Sequence, residues 1–314
     1  DKLHREFKGY RFDWVAAGVQ LHFERVMLQL IINWLKKTNT SSLVLSGGCF
    51  MNVKLNMLIA QSADIQQFFV LPSCGDESLA MGAAYIMNEE SYPGTSSPLG
   101  HLYLGPQCTD KEILNTLEQY KDLVKFKEVD DPEANAAELL ANNRIVARCS
   151  GCMEWGARAL GNRSIMANPK SMTTIHRINK AIKMRDFWMP FAPSVLFERR
   201  HDYIVNPLDC QAPYMIIAFP STKRAQKEMP AALHPFDQTC RPQIVEKNTN
   251  PLYHRLISIF EKHTGIGAII NTSFNLHGEP IVCSARDALH TFVNSDLDAL
   301  ILENRIIFHK DRPL

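Results

Sequence analysis

The first hundred residues alternate helix and strand in an order that leaves few folds open. An amphipathic helical pattern runs over 14–37, with Val19, Phe23, Val26, Leu30 and Trp34 recurring at helical spacing. It stops at the polar stretch 36–42, and a short apolar strand follows at 43–45. That strand ends in Ser46, Gly47 and Gly48, and a helical segment comes next over 52–60. A second strand over 68–71 is closed by Pro72, and a helix rich in small residues begins near Ser78. Helix, strand, glycine turn, helix, strand, helix is the order of an α/β fold.

Residues 91–106 are rich in Ser, Pro and Gly and divide the chain into domains over 1–97 and 98–314. Beyond the divide the pattern predicts a helix over 132–142 and strands over 145–148, 214–219 and 269–271. Ser284 with Asp287 resembles a capping box for a helix through Phe292, and the apolar run 299–302 reads as a closing strand. The second part is therefore α/β or α+β. At 314 residues the chain is long enough for two domains and for burial of roughly three quarters of its unfolded surface.

Composition narrows the functional classes. A formal net charge of +1 argues against broad nonspecific binding of nucleic acid, though not against a local basic pocket. No apolar run approaches the roughly 20 residues of a membrane span, and the first residues lack a signal-peptide pattern, so the expected location is cytoplasmic. Eight irregularly spaced cysteines suit reduced thiols. The one CxxC pair, Cys149 and Cys152, lacks the second pair that a structural zinc needs.

The chemistry is concentrated in three islands, 155–164, 183–185 and 271–275. The first carries Arg158, Asn162, Arg163 and Ser164; the second Lys183 and Arg185; the third Asn271, Ser273 and Asn275. Arg241 stands in the polar loop 239–243. Guanidiniums pair with phosphate oxygens in bidentate fashion and lysine acts as a point charge, so this mixture suits a phosphorylated substrate and a nucleotide. The alternative for the arginines is a structural ion pair, with Glu154 as the internal partner. Ser46, Gly47 and Gly48 follow a strand and precede a helix, so their amides can face a phosphate or serve only a tight turn. Asp76, just past a strand end, reads as a first-turn helix carboxylate or as a metal ligand at the mouth of an α/β sheet.

The wording of 153–165 resembles the most specific signature of the O-carbamoyltransferase family, enzymes that decorate nodulation factors and antibiotics such as cephamycins and aminoglycosides. Further matches lie at 179–196, 239–243 and 271–283. Lys183 with Arg185, and Ser273 with Asn275, are similar to the K-x-R and S-x-N pairs of YrdC-like domains. Residues 46–52 and 75–84 resemble the second half of the family's transferase domain, which has the actin/hexokinase-type (ASKHA) fold. The resemblance thus implies a partial ASKHA lobe followed by a YrdC-like α/β domain with a twisted mixed sheet.

The family reaction has two stages. Carbamoyl phosphate and ATP form carbamoyladenylate, with release of phosphate and pyrophosphate, and the carbamoyl group then passes to a substrate hydroxyl at a metal-containing site. The resemblance implies that Arg158, Arg163, Lys183, Arg185 and Arg241 bind phosphates, with Asn162, Ser164 and Asn271 beside them. Ser273 and Asn275 would orient the carbamoyl and adenylate groups. Ser46, Gly47, Gly48 and Asn52 would hold nucleotide in the transferase site, and Asp76 would ligate a divalent metal, iron, magnesium or manganese.

The match also has gaps. The family's pair of histidines four apart is missing, and the first residues correspond to the middle of its transferase domain. The chain therefore reads as a C-terminal piece or one part of a split protein, whose partner is the N-terminal half of that domain and whose metal site is weak. Cys152 stands where the family usually has Arg, and Ala157 where it has Pro. A nucleotide- or RNA-binding YrdC-like module and a catalytically degenerate regulatory homologue remain the alternatives.

Overall fold

A computed structural model describes residues 2–183 and 189–312. Strands β1 (Ser42–Leu45) and β2 (Gln67–Val70) form a two-stranded parallel sheet, joined by a 3-10 turn at Gly48–Met51 and a helix at Val53–Ala60. Asn52 caps that helix, its side chain accepting from Leu55 N at 3.1 Å. A helix at Phe12–Thr38 precedes this sheet and one at Ser78–Ser91 follows it. No regular element interrupts the stretch from Tyr92 to Thr109.

The rest of the strands are β3 (Val124–Glu128), β4 (Val146–Cys149), β5 (Arg163–Ala167), β6 (Ala192–Leu196), β7 (Phe219–Pro220), β8 (Thr239–Cys240), β9 (Gln243–Val245), β10 (Ala268–Ser273), β11 (Ala299–Leu302) and β12 (Arg305–His309). Eight of them make one mixed sheet in the order β3-β12-β11-β4-β5-β10-β6-β9. The pairs β11–β4 and β6–β9 are parallel and the others antiparallel. Strands β7 and β8 form a separate antiparallel ribbon. The centre of the large sheet is buried on both faces, as continuous burial along β4, β5, β6 and β10 shows.

Helix caps explain where the covering helices start. Pro132–Ala141 begins behind Asp131, whose carboxylate accepts from Ala134 N, and Pro251–Thr264 begins behind Asn250 in the same way. Each has Pro at its first position, where the missing N–H is no loss. These two helices pack on each other, and Arg255 grips Asp131 through two 2.5 Å bonds. The capping box is present as predicted: Ser284 and Asp287 bond reciprocally ahead of Ala285–Val293.

Two expectations need correction, and one pattern is refined. In the apolar stripe of the Phe12–Thr38 helix, Val19, Val26, Leu30 and Trp34 are exposed and Phe23 packs partly buried against the core, while full burial falls on Ile31 and Leu35. Spacing identifies an apolar face but not its partner. By length and composition, this 27-residue helix is also long and apolar enough to cross a membrane, contrary to the sequence expectation. Finally, the predicted strand over 214–219 survives only at its last residue, Phe219 in β7, because Met215 turns to φ 56° and the backbone over 214–218 runs as a loop. Ala218 N donates to Val53 O at 3.1 Å and Ile216 O accepts from Asn56 Nδ2 at 2.8 Å. This buried loop ties the Val53–Ala60 helix to the second part.

Candidate anion-binding site

The first island is a loop wrapped around its own carboxylate. Glu154 is buried, and its Oε1 accepts three main-chain N–H bonds, from Leu160 and Asn162 at 2.7 Å and from Arg163 at 3.1 Å. A carboxylate taken out of water requires such charge-assisted bonds. The alternative Glu154–arginine ion pair does not form among the described residues; amides take that role.

Neighbouring segments fix the loop from outside. Trp155 N donates to Leu102 O at 2.7 Å, Met153 N donates to Pro106 O at 2.9 Å, and Gly105 N donates to Met153 O at 2.9 Å. Leu160 O accepts from Tyr103 Oη at 2.9 Å and from Gln243 Nε2 at 2.7 Å. Ala159 O accepts from Asn271 Nδ2 at 3.1 Å. Two glycines are required by close approach. Gly156 sits at φ 100°, and a Cβ there would lie 3.1 Å from Ser73 Cβ. Gly161 sits at φ 117°, and its Cβ would lie 2.4 Å from the Tyr253 ring.

Arg158 stands on this fixed loop. It is half-buried, and among the described residues it has neither hydrogen bond nor ion pair. Burial alone pushes its guanidinium pKa down. Burying a cation without a counter-charge costs free energy, so Arg158 is the candidate residue of this loop for an external anion.

Arg163 behaves oppositely, and the expectation that it binds phosphate is corrected. It is fully buried, and its guanidinium donates to the carbonyls of Gly151 at 3.0 Å, Asn162 at 3.2 Å, Pro106 at 3.1 Å and Cys283 at 3.3 Å. Asn162, Ser164 and Asn271 are likewise internal. Asn162 Oδ1 accepts from Arg148 and Asn250, Ser164 Oγ accepts from Gly161 N, and Asn271 Nδ2 reaches Ser194 Oγ and Gln243 Oε1, each at 3.0 Å. These side chains hold the loop and present no surface to a ligand.

The first and third islands nevertheless converge. Ser273 opposes Ser164 in the β10–β5 register, and Asn271 opposes Ala192 of β6. Ser273 Oγ donates to Asn275 Oδ1 at 2.6 Å, and both side chains are half-buried. Arg241, two residues before Gln243, lines a cavity of about 210 Å³ with Phe191, Ala192 and Lys54, and donates to Met215 O at 3.4 Å. Lys183 ends the helical turn Asn179–Lys183. Its side chain and all of Arg185 lie outside the described residues.

The first part contributes less. Ser46 and Gly47 are exposed, and Gly48 opens a short 3-10 turn instead of a helix. Ser46 also lines a larger cavity of about 830 Å³ with Phe69, Tyr85 and Tyr214. Asn52 is not free to bind nucleotide, since its amide caps the helix and exchanges bonds with Gln20. Asp76 is exposed, and the helix cap is Glu77, not Asp76. Among the described residues no three His, Cys, Asp or Glu side chains gather. One carboxylate does not make a divalent-cation site, which takes several ligands, so the residues present do not fit the metal the resemblance implies.

A loop signature, a guanidinium without a partner among the described residues and a Ser–Asn pair at the end of β10 mark a class that sequence comparison identifies. The Carbamoyltransferase C-terminus family matches residues 137–309, and the Carbamoyltransferase N-terminus family matches residues 2–85. The chain belongs to the carbamoyltransferase family. The N-terminal match corrects the description of the chain as a C-terminal part alone.

Nodulation protein NolNO of Sinorhizobium fredii is 35% identical over 93% of this chain and 43% of its own length. The 3'-hydroxymethylcephem-O-carbamoyltransferase of Amycolatopsis lactamdurans is 32% identical over 77% of this chain and 44% of its own. The chain spans about half the length of the curated relatives it matches. A crystal structure of full-length HypF in a phosphate- and nucleotide-bound form superimposes over 60% of this chain and 22% of its own, with 15% identity and a TM-score of 0.38.

Proposed function

We propose that the site activates carbamoyl phosphate with ATP, forming carbamoyladenylate for transfer to a hydroxyl acceptor. The observation that carries this reading is Arg158, a half-buried guanidinium with no partner among the described residues, on the loop that bears the family signature. In this reading the eight-stranded sheet is the YrdC-like domain and the β1–β2 unit belongs to an actin-type transferase lobe. Arg158, Arg241, Lys183 and Arg185 take phosphate oxygens, while Ser273 and Asn275 orient the carbamoyl and adenylate groups. Carbamoyl phosphate with one water gives carbamate and phosphate, and carbamate attack on the α-phosphorus of ATP releases pyrophosphate. The chain's own part is to neutralise charge and align the two reactants, so no protein nucleophile is needed. In this reading the transferase lobe takes further elements from the part of the relatives' length that this sequence does not span.

Carbamoyl-phosphate-dependent ATP–pyrophosphate exchange tests the reading. Exchange is expected in the wild type and lost in Arg158→Ala and Lys183→Ala. A wild-type protein without exchange, matched by an unchanged Lys183→Ala, would overturn it.

A further inference from the structure

We infer that Glu154 is a positioning residue for Arg158: it is an internal anion that sets the loop so that the guanidinium is delivered to an incoming phosphate. The inference rests on the anion-site reading above and deepens it. Between Glu154 and the amides it receives lie Trp155, Gly156, Ala157, Arg158 and Ala159, so the carboxylate closes a short ring of chain with Arg158 inside it. The closing bonds are short, two of them 2.7 Å, and join a buried anion to N–H dipoles in a dry setting.

The ring is held on both flanks as well, by Asn271 at Ala159 O and by Tyr103 and Gln243 at Leu160 O. Arg158 has no bond of its own to fix it among the described residues, so its position is inherited from the ring. Glu154 Oε1 accepts all three amides, while Oε2 is buried and has no partner among the described residues. The carboxylate is thus committed to the loop through one oxygen and is not placed to touch substrate through that atom.

This arrangement separates two jobs that both need charge. A nest of amides facing outward would itself bind a phosphate. Here the nest is filled by Glu154, and the external anion is left to Arg158. Replacing the carboxylate by an amide of the same shape weakens the ring without emptying it, because a neutral acceptor bonds N–H groups less strongly. The loop then loosens, and misplacement by about 1 Å costs on the order of a hundredfold in a positioned site.

A double-mutant cycle on ligand binding tests this, with phosphonoacetamide, the methylene counterpart of carbamoyl phosphate, as probe and titration calorimetry as readout. Glu154→Gln is expected to weaken binding about ten- to a hundredfold with Arg158 present, and to add nothing in an Arg158→Ala background. A merely structural role would lower the melting temperature equally in both backgrounds and leave the affinity of the folded fraction unmoved. Tyr103→Phe, which removes only the hydroxyl bond to Leu160 O, gives the same pattern more mildly if Glu154→Gln does not fold. Additive losses overturn the positioning role and leave the anion site standing. Unaltered binding in Arg158→Ala, or no binding in the wild type, overturns the anion-site reading and this inference with it.

Discussion

Lys54 Nζ lies 2.5 Å from Asp237 Oδ2, an ion pair that fastens the Val53–Ala60 helix to the loop ahead of β8. With the bonds at Ile216 and Ala218, it joins the β1–β2 unit to the region of the large sheet. Burial pushes the Asp237 carboxyl up, but hydrogen bonds from Lys54 and Thr239 outweigh it and hold the pKa at about 2. An unfolded aspartate titrates near 3.9. The folded value is the lower one, so the contribution is complete above about pH 4 and is lost as pH falls toward 2.

Lys54→Ala is therefore expected to cost about 1 kcal/mol or less near neutral pH, since the pair is partly exposed. It should also flatten the acid limb of the stability curve. Urea midpoints measured from pH 6 to pH 2 check both. Wild type and variant should converge at the acid end.

Arg158 and Arg163, five residues apart, are expected to respond oppositely to substitution. Arg163→Met removes a guanidinium from four carbonyls at the heart of the loop, and should cost about 3–5 kcal/mol of stability. Arg158→Ala gives up no partner among the described residues and should change stability by about 1 kcal/mol or less, while abolishing pyrophosphate exchange. Thermal melts run beside the exchange assay separate the two.

Val26 and Leu30 are 51% and 48% exposed on the long helix. Val26→Gln and Leu30→Gln are expected to alter stability of the chain by about 0.5 kcal/mol or less, against roughly 2–5 kcal/mol for truncating a buried aliphatic such as Leu55. Denaturant unfolding of the three variants checks the orientation of the helix. A large loss at Leu30 would place its side chain in a core.

Local signals in the chain located some of the elements, five of the twelve strands among them. β1, β2, β11 and the Ser284 cap were legible because a short apolar run or a cap pair marks each one. β5 was not, because Arg163 and Ser164 make it look like a polar loop although every residue in it is buried. The 214–219 run failed for the opposite reason. Its residues are apolar and buried, but their backbone partners sit on a helix distant in sequence.

At the site, the meeting of the first and third islands was legible and the division of labour was not. Arg163, Asn162, Asn271 and Asn52 have the side chains of ligand-binding residues and serve the loop and a helix cap instead. A guanidinium that meets carbonyls and one that meets phosphate are written with the same letter. Only burial and partners distinguish them. Tyr103 and Gln243, which grip Leu160, carry no signal of that role in the chain, because each acts through a main-chain atom.

The bond from Asn271 to Ala159 joins residues 112 apart. A contact of such sequence separation forms only after much of the chain has been committed, and loop closure of that length is slow. During synthesis from the N-terminus, the signature loop thus emerges long before the strand that shapes it. A nascent or truncated chain ending before residue 268 would carry Arg158 on an unshaped segment. The shape of the signature loop is in this sense a late property of the polypeptide.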